Sequence, residues 1–288
     1  MTVAPSAPAP AHATNRHYDL DPRIFGLFLG ETRKYSAGWY ADPEDPHGED
    51  LTTAQRAKMD LVADLLGVDA GSRVLDIGSG WGSLVLHLAD EHGCDVTGVS
   101  PAPRQREYVL SRAAQLGVAD RVDIVTSAFE TVDGLPRGFD AVTALGSVVH
   151  MPDLPAVLTK ARGLLRRGGR MYLSESCFRN RAIRDRFDRV AGTEFVREET
   201  FGNGELRPLS ELVAAAEDAG FSVEHTVDLT RHYHRTIEQW IANVQAAAAE
   251  IDAIDPGRAA ALEHYLHVAN AGWGYTTKHY GLVLRNGR

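Results

Sequence analysis

The chain has 288 residues, of which 44% are hydrophobic, a size and composition suited to one large α/β domain with its own core. Its formal net charge of -9 argues against a general binder of nucleic acid or of anionic membranes. The two cysteines, Cys94 and Cys177, lie far apart without a CxxC spacing, so neither a disulfide framework nor a zinc site is predicted.

The N-terminal part of the chain predicts a tail followed by a helical lid. Residues 1–16 are rich in Ala and Pro and lack the charged start and apolar run of a signal peptide, so we predict a disordered tail. No run of 18 apolar residues occurs, which predicts a cytoplasmic protein without a membrane span. Residues 17–70 are expected to form the lid. Within it, Asp21–Leu29 suits a short helix, and Thr52 or Thr53 is expected to cap a second one.

From Ser72 onward, strand and helix signals alternate, which is typical of a doubly wound, mostly parallel α/β sheet. Residues 71–178 are expected to form its core, and residues 179–288 to complete the sheet and add a helical substrate cap, since Thr236–Ala271 is too long for a simple connection. The Gly168-Gly169 pair predicts a sharp turn into the fifth strand. The predicted strands are Arg73–Ile77, Asp95–Val99, Val122–Thr126, Ala141–Ala144, Arg170–Ser174, Phe221–Val227 and Tyr280–Arg285. The predicted helices of this part are Leu84–His92, Pro103–Leu116, Leu154–Leu165 and Pro208–Ala219.

A glycine-rich turn after the first of these strands predicts the ligand site. The segment from Val74 to Ser83 reads VLDIGSGWGS, a buried strand, a tight turn and the start of a helix. Such a turn lets a ligand approach the backbone and usually lies at the carboxyl edge of a parallel sheet. A dinucleotide fingerprint is incomplete, because Ser83 replaces its third glycine and the next strand ends at Ser100 instead of an acidic residue. Asp76 precedes the glycines and can accept hydrogen bonds, and the whole resembles motif I of class I S-adenosylmethionine (SAM) dependent methyltransferases.

Further segments, spread over residues 17 to 286, resemble the cyclopropane fatty acid synthase and mycolic acid methyltransferase group. This resemblance implies a Rossmann-like, seven-stranded SAM-binding sheet covered by helices from the N-terminal part and from the late insertion. The matching pieces besides motif I are His17-Tyr18-Asp19, Phe25-x-x-Phe28, Thr32-Arg33-Lys34-Tyr35-Ser36, Leu51-Thr52-x-Ala54-Gln55-x-x-Lys58-x-Asp60-Leu61, Gly98-Val99-Ser100 with Gln105, Gly204-x-Leu206-x-Pro208, Ala219-Gly220-Phe221 and His232-Tyr233-x-x-Thr236-x-x-x-Trp240.

The resemblance also implies which residues hold SAM. Two of them, Tyr35 and Ser36, are expected to reach the methionine end. An aromatic ring at Phe129 also suits adenine on physical grounds, although a place in the core explains it equally well. The remaining implied contacts are Gly78 and Gly80 against the cofactor, Ser100 and Gln105 near the ribose and methionine groups, and Ala128 beside adenine.

Two departures bear on the reaction. Cyclopropane-forming members carry a cysteine after the Tyr-Ser pair, where this chain has Ala37. They also carry a glutamate after the fourth strand, whereas residues 143–150 here contain no carboxylate. In the family those two positions help to hold a bicarbonate that accepts protons from a lipid carbocation. Their absence favours methylation of a small molecule over modification of a phospholipid or carrier-bound acyl chain.

The candidate catalytic residues are histidines and a tyrosine near the predicted crevice. His150 follows the fourth strand, where a general base would meet the substrate. The alternative is that it is a loop or helix-capping histidine without a catalytic role. Tyr233 lies in a family-matched piece, and His279 stands among aromatic residues that suit either a pocket wall or a core. Glu175 ends the fifth strand and faces the crevice, where an ion-pair role is the alternative. No metal site is predicted.

These observations favour a SAM-dependent methyltransferase that acts on a C, O or N atom of a lipophilic small molecule, in bacterial specialised metabolism. The first alternative is a SAM-dependent cyclopropane-forming or cyclising enzyme with an unusual olefin or acyl substrate. The second is a protein of the same fold that binds SAM without catalysis. No nucleic-acid partner and no integral membrane association are expected, and self-association is left open.

Overall fold

The computed structural model describes residues 20–187, 189–196 and 205–287. The predicted tail over residues 1–16, the His17-Tyr18-Asp19 piece and Gly204 lie outside the described residues. None of the helices in the described segments is long and apolar enough to cross a lipid bilayer.

A mixed sheet forms the centre of the molecule, with the strand order β3-β2-β1-β4-β5-β8-β7. Strands β1 to β5 run parallel, whereas β8 is antiparallel to both of its neighbours, β5 and β7. The predicted doubly wound, mostly parallel sheet is confirmed. The strands are β1 (Arg73–Ile77), β2 (Asp95–Ser100), β3 (Val122–Thr126), β4 (Phe139–Leu145), β5 (Leu165–Phe178), β6 (Arg207–Pro208), β7 (Phe221–Asp228) and β8 (Thr277–Asn286).

Helices cover both faces and one end of the sheet. A single 3₁₀ turn, Val148–His150, follows β4. The helices are α1 (Pro22–Leu29), α2 (Leu51–Leu66), α3 (Ser83–Asp90), α4 (Pro103–Leu116), α5 (Leu154–Leu164), α6 (Arg181–Phe187), α7 (Ala191–Val196), α8 (Leu209–Asp218), α9 (Thr230–Ala246), α10 (Ala248–Ile254) and α11 (Arg258–Ala271).

Several predicted element boundaries were wrong for local reasons. Asp50 caps α2 by accepting a hydrogen bond from the amide of Thr53 at 2.8 Å, so neither Thr52 nor Thr53 is the cap. The Gly168-Gly169 pair lies inside β5, next to a shift in its register with β4, instead of forming a turn before the strand. The late helical stretch begins at Thr230, six residues before the predicted start, and divides into α9, α10 and α11.

Three large apolar clusters and a small one around Phe178 stabilise the described part of the chain. Two of them fill the two faces of the sheet, one beneath α5 and α8 and the other beneath α2, α3 and α4. The third joins α1 to α9, α10 and α11 and includes Trp81 from the glycine-rich turn. The N-terminal helix α1 therefore packs against the late helical insertion, and together they form a cap beside the turn.

Candidate active site

The glycine-rich turn after β1 combines tight packing with one open position. Gly78, Gly80 and Gly82 all have positive φ angles, +77°, +53° and +74°. A Cβ at Gly78 would lie 2.3 Å from the Cβ of Ser147, and one at Gly82 would lie 2.5 Å from Val109. A Cβ at Gly80 would meet no atom nearer than 4.0 Å. Gly78 and Gly82 thus allow close packing of protein on protein, while Gly80 borders open space.

Asp76 lies at the end of β1, 4% exposed, with Thr143 donating a hydrogen bond to its Oδ1 at 2.6 Å. Burial raises the pKa of this carboxyl, while the buried ammonium of Lys34 and the hydrogen bond from Thr143 act against the rise. Burial also lowers the pKa of Lys34, and Asp76 opposes that shift. Asp76, near the C-terminal end of β1, can therefore accept a hydrogen bond from a hydroxylated ligand or pair with a cationic one.

The next predicted contacts follow β2 and β3. Ser100 donates a hydrogen bond to Gln105 Oε1 at 2.7 Å, and both side chains are buried beside the turn. Phe129 is 2% exposed and packs in the core cluster beneath α5, with the ammonium of Lys160 over its ring at 5.2 Å. Ala128 precedes it and is half-buried. The alternative of a core phenylalanine therefore has structural support, and the adenine contact of both residues stays a prediction.

Tyr35 and Ser36 lie in a loop that α2 and α9 hold from opposite sides. The side chain of Gln55 donates to the carbonyl oxygen of Lys34 at 3.0 Å, and the amide of Gly38 donates to Thr236 Oγ1 at 2.9 Å. The Oγ atoms of Ser36 and Ser79 are buried without a hydrogen-bond partner in the described chain. These two hydroxyl groups could hydrogen-bond to a polar cofactor placed in the open space beside Gly80, at the C-terminal end of β1.

A cavity of about 380 Å³ lies between the sheet and the cap. Tyr35, Ser36 and Gly146 border it on the side of the turn, and aromatic residues of α9 and α11 form much of its wall. Most of the lining is apolar or aromatic, which suits a lipophilic ligand. Other residues of the lining are Phe178, Leu206, Ile237, Trp240, Tyr265 and Trp273.

Two of the three predicted catalytic residues, Tyr233 and His279, line this cavity and contact each other with ring centroids 4.8 Å apart. The two ring nitrogens of His279 lie 2.8 Å from Ser174 Oγ and 3.1 Å from Ser176 Oγ. Burial, reinforced by the charge of Lys58, holds the pKa of His279 well below its usual value, so the ring is neutral near pH 7. The third candidate, His150, closes the 3₁₀ turn and is not among the residues that line the cavity.

Glu175 is the acidic residue of the cavity lining in the part of the chain that the structure describes. Its side chain is 4% exposed, and burial raises the pKa of its carboxyl to about 7 against the effect of backbone hydrogen bonds and of Arg207. The amides of Val149 and Ser176 donate to its two oxygens at 3.1 Å and 3.0 Å. A carboxyl with this pKa can exchange a proton near neutral pH.

Lys58, which the sequence analysis named only as part of a family-matched piece, is a buried ionisable residue. It is inaccessible to solvent, its ammonium lies 5.1 Å from the centroid of the Tyr172 ring, and burial lowers its pKa to about 7, with the charge of Lys34 adding to the shift. Lys58 follows Gln55 by about one helical turn and shares the apolar, inward face of α2. A lysine at such a position is unusual, and this spacing could have identified it from the sequence.

Away from the cavity, Asp60 on α2 contacts His87 in the last turn of α3 and His92, two residues beyond the end of that helix. Its Oδ1 lies 2.7 Å from His87 Nε2 and 3.0 Å from His92 Nε2. Burial acts to raise the pKa of Asp60, but the hydrogen bonds from the histidines outweigh it and hold the pKa below its ordinary value. In the described parts of the chain, this is the group whose geometry would suit a metal ion, a possibility absent from the sequence-based prediction.

Comparisons with known proteins agree with this geometry. The family described as mycolic acid cyclopropane synthetase matches residues 6–278. A probable fatty acid methyltransferase from Pseudomonas putida is 28% identical over 85% of this chain, which spans only 61% of that protein's length. The S-adenosylmethionine-dependent methyltransferase UmaA from Mycobacterium tuberculosis is 28% identical over 80% of each chain.

Among solved structures, mycolic acid cyclopropane synthase CmaA1, complexed with SAH and CTAB, superposes with a TM-score of 0.84 and 24% identity over 94% of this chain and 96% of the other. At that identity the likeness bears on the fold alone. The family match, by contrast, extends over most of the sequence and includes the glycine-rich turn, the Tyr35-Ser36 loop and the cap. The chain therefore belongs to the mycolic acid cyclopropane synthetase family, whose members are SAM-dependent enzymes.

Proposed function

We propose that this SAM-dependent enzyme methylates a lipophilic small molecule held in the cap cavity, in bacterial specialised metabolism. The observation that supports this most is the cavity itself, whose largely apolar wall meets the Tyr35-Ser36 loop beside the glycine-rich turn. When bound, SAM supplies an electrophilic methyl group on a positively charged sulfur. The cofactor would be held by Tyr35, Ser36, Asp76, Gly78, Gly80, Ser100, Gln105, Ala128 and Phe129.

The protein's own contribution is to position the acceptor and to exclude water. Aromatic residues of α9 and α11 would orient an apolar acceptor, because they present large, rigid surfaces with little freedom to lose. Holding the reacting atoms close together and away from bulk water favours the transfer of the methyl group from the positively charged sulfur. His279 and Tyr233 would position the reacting end of the acceptor, and His150, which lies outside the lining, is the weaker candidate for a base.

The departures at Ala37 and in residues 143–150, among them Val149, support a small-molecule acceptor. Both side chains are buried and apolar, at 0% and 2% exposure, so neither can contribute a polar group to a bicarbonate site. A cyclising activity remains the alternative, since Glu175 places a carboxylate against the amide of Val149.

Labelled SAM with a CD3 group, incubated with a panel of lipophilic amines, alkenes and phenols, tests the proposal by mass spectrometry. Methylation leaves three deuterium atoms in the product, whereas a methylene bridge retains two. Product formation with three deuterium atoms is the expected result. Saturable SAM binding without transfer to any acceptor of the panel would instead support the non-catalytic alternative.

A further inference from the structure

A cluster of metal-ligating side chains lies outside the cavity, where α2 packs against α3. Asp60 on α2 contacts His87, in the last turn of α3, and His92, just beyond that helix. One ligand atom from each of these residues lies within 4.8 Å of the other two. Two imidazole nitrogens and a carboxylate oxygen form a donor set that suits Zn²⁺ and other divalent transition-metal ions.

The turn after α3 brings the two histidines together. Gly93 has a φ angle of +65°, which allows the chain to bend there and enter β2. Arg121 donates a hydrogen bond to the carbonyl oxygen of Gly93 at 2.7 Å and so holds the turn in place. The ring centroids of His87 and His92 are 5.4 Å apart. The backbone therefore places both imidazoles beside Asp60 without the help of an ion.

Only a small adjustment is needed to admit an ion between these groups. Asp60 Oδ1 lies 2.7 Å from His87 Nε2 and 3.0 Å from His92 Nε2. Ligand atoms bound to one tetrahedral zinc ion lie about 3.3 Å from one another, so these contacts would lengthen by about 0.3–0.6 Å. The side chain of Asp60 is 53% exposed, whereas those of His87 and His92 are 8% and 21% exposed. The carboxylate can therefore move outward while the imidazoles stay in place.

The charges around the cluster also favour a cation. In the described chain, no lysine or arginine nitrogen lies within 4.0 Å of the Asp60 carboxylate. Arg56, about one turn earlier on α2, contacts Glu31 at 3.6 Å and Glu91 at 3.9 Å instead. Three carboxylates therefore lie around one guanidinium group at this point of the surface. A divalent ion would offset this excess of negative charge.

The cluster is separate from the cavity and from the residues predicted to bind the cofactor. None of the described residues of α2 and α3 lines the cavity. Asp60 is on the exposed side of α2, whereas Gln55 and Lys58 are buried on the inner side. The carboxylate is 27 and 32 positions away from the two histidines in the sequence. An ion bound to all three residues would therefore link two helices.

We propose that Asp60, His87 and His92 bind a divalent transition-metal ion, with Zn²⁺ as the best match, and that this ion links α2 to α3. Water would complete the coordination, because the cluster is open to solvent at Asp60. Mg²⁺ and Ca²⁺ prefer oxygen ligands, so two imidazoles disfavour both of them. The inference does not depend on the proposed methyl transfer, and the ion takes no part in that reaction.

Calorimetric titration with Zn²⁺ tests the site, on protein that carries no polyhistidine tag and has been treated with a chelator. We expect about one ion to bind per chain. His92→Gln should weaken the binding about tenfold or more, since loss of a group that merely supports a metal ligand already costs about 10–100-fold. The matched control is His267→Gln on α11, an exposed histidine 3.6 Å from Glu263, where the described residues supply no third ligand. The Zn²⁺ affinity of this control should equal that of the wild type.

A second variant keeps the test independent of how well the first one folds. Asp60→Asn changes an exposed side chain and should also weaken Zn²⁺ binding about tenfold or more, because a neutral amide is a poorer zinc ligand than a carboxylate. Retained binding of S-adenosylhomocysteine (SAH) shows that a variant is folded. Loss of Zn²⁺ binding in a variant that still binds SAH supports the site.

Thermal unfolding of the wild-type protein provides a second measurement. Zn²⁺ at about 100 times its dissociation constant should raise the unfolding midpoint by about 5 °C, because the ion binds the folded state. Mg²⁺ at the same concentration should leave the midpoint unchanged. The proposal would be overturned by a wild-type protein that does not bind Zn²⁺, by wild-type affinity in both His92→Gln and Asp60→Asn, or by an equal loss of affinity in His267→Gln.

Discussion

At the scale of single residues, Asp76 is the part of the predicted cofactor site with the most defined surroundings. Thr143 donates to it and Lys34 is the buried cation whose charge it offsets. We expect Asp76→Ala to weaken SAH binding about tenfold or more, because a hydrogen bond to a buried charged group typically contributes about 1.5–3 kcal/mol. Isothermal titration calorimetry measures this directly.

The control for this experiment is Asp123→Ala, since Asp123 is exposed on β3, away from the turn. Its SAH affinity should equal that of the wild type. Thermal unfolding of both variants separates lost binding from lost folding. An unchanged affinity in folded Asp76→Ala protein would show that this carboxylate does not contact the cofactor.

Residue types were easier to predict from the sequence than residue contacts. Tyr233 and His279 were singled out and do line one cavity, yet they are 46 positions apart, and only the pairing of β8 with β5 brings His279 to the cap. His150 was favoured because it follows β4, but the 3₁₀ turn leaves it outside the lining. Glu175 was singled out from its place at the end of the fifth strand, but the burial that raises its pKa has no local sequence signature.

At the scale of elements, α9 and the Tyr35-Ser36 loop are joined by a neutral histidine. The amide of Tyr40 donates to His232 Nδ1 at 3.1 Å, and the ring of Trp39 stacks on the imidazole at 4.2 Å. Burial, with the charge of Lys58, lowers the pKa of His232, and Asp228 partly opposes this. Protonation at Nδ1 would remove the acceptor that the loop uses.

This contact predicts a dependence of stability on pH. Because the folded-state pKa of His232 lies below its unfolded value of about 6.5, its contribution is complete above that pH and is lost as the pH falls further. His279 acts in the same direction. We expect His232 and His279 each to lower the free energy of unfolding between about pH 7 and about pH 5, by at most about 1.4 kcal/mol per pH unit for each proton taken up. Glu175, whose pKa burial raises to about 7, acts in the opposite direction over this range, so the part of the slope that His232→Asn removes is the quantity to measure. Chemical denaturation at several pH values measures the slope.

His232→Asn retains an acceptor for the amide of Tyr40 and should show a shallower slope than the wild type. His267→Asn, at an exposed position of α11, is the control and should retain the wild-type slope. A full wild-type slope in His232→Asn would assign the effect to other groups, His279 among them. Hydrogen exchange of residues 34–40 would localise any loosening to the loop.

The bounds of helices and strands were predicted correctly where the hydrophobic periodicity and the residues typical of element ends agree. β1 and β3 have the predicted bounds, and α4 begins at Pro103 and ends before Gly117, as that pattern of residues favours. The two-residue strand β6 was missed, because it exists only through pairing with Cys177 and Phe178. A contact of that kind has no local signature.

At the scale of the whole molecule, the sequence predicted the α/β sheet and the late helical insertion but not the way in which they enclose a cavity. That enclosure depends on α1 packing against α9, α10 and α11, segments about 200 positions apart in the chain. The resulting arrangement separates two tasks. The residues predicted to bind the cofactor lie mostly at the turn and around the ends of β1, β2 and β3, while the cap provides most of the cavity wall. Tyr35 and Ser36 belong to both regions, since their loop borders the cavity on the side of the turn.

This separation predicts that the cavity can be filled without affecting the cofactor. Ala269 on α11 is half-buried and lines the cavity, so Ala269→Phe would place a ring inside it. We expect an apolar probe such as neopentylbenzene to bind about tenfold more weakly and SAH to bind within about twofold of wild type, since the added ring takes up space in the cavity that the probe would fill. Ala260→Phe, at an exposed position of the same helix, carries the same ring outside the cavity and should change neither affinity. A parallel loss of SAH binding in Ala269→Phe would mean that the two regions form one site, and that the cap contributes directly to holding the cofactor.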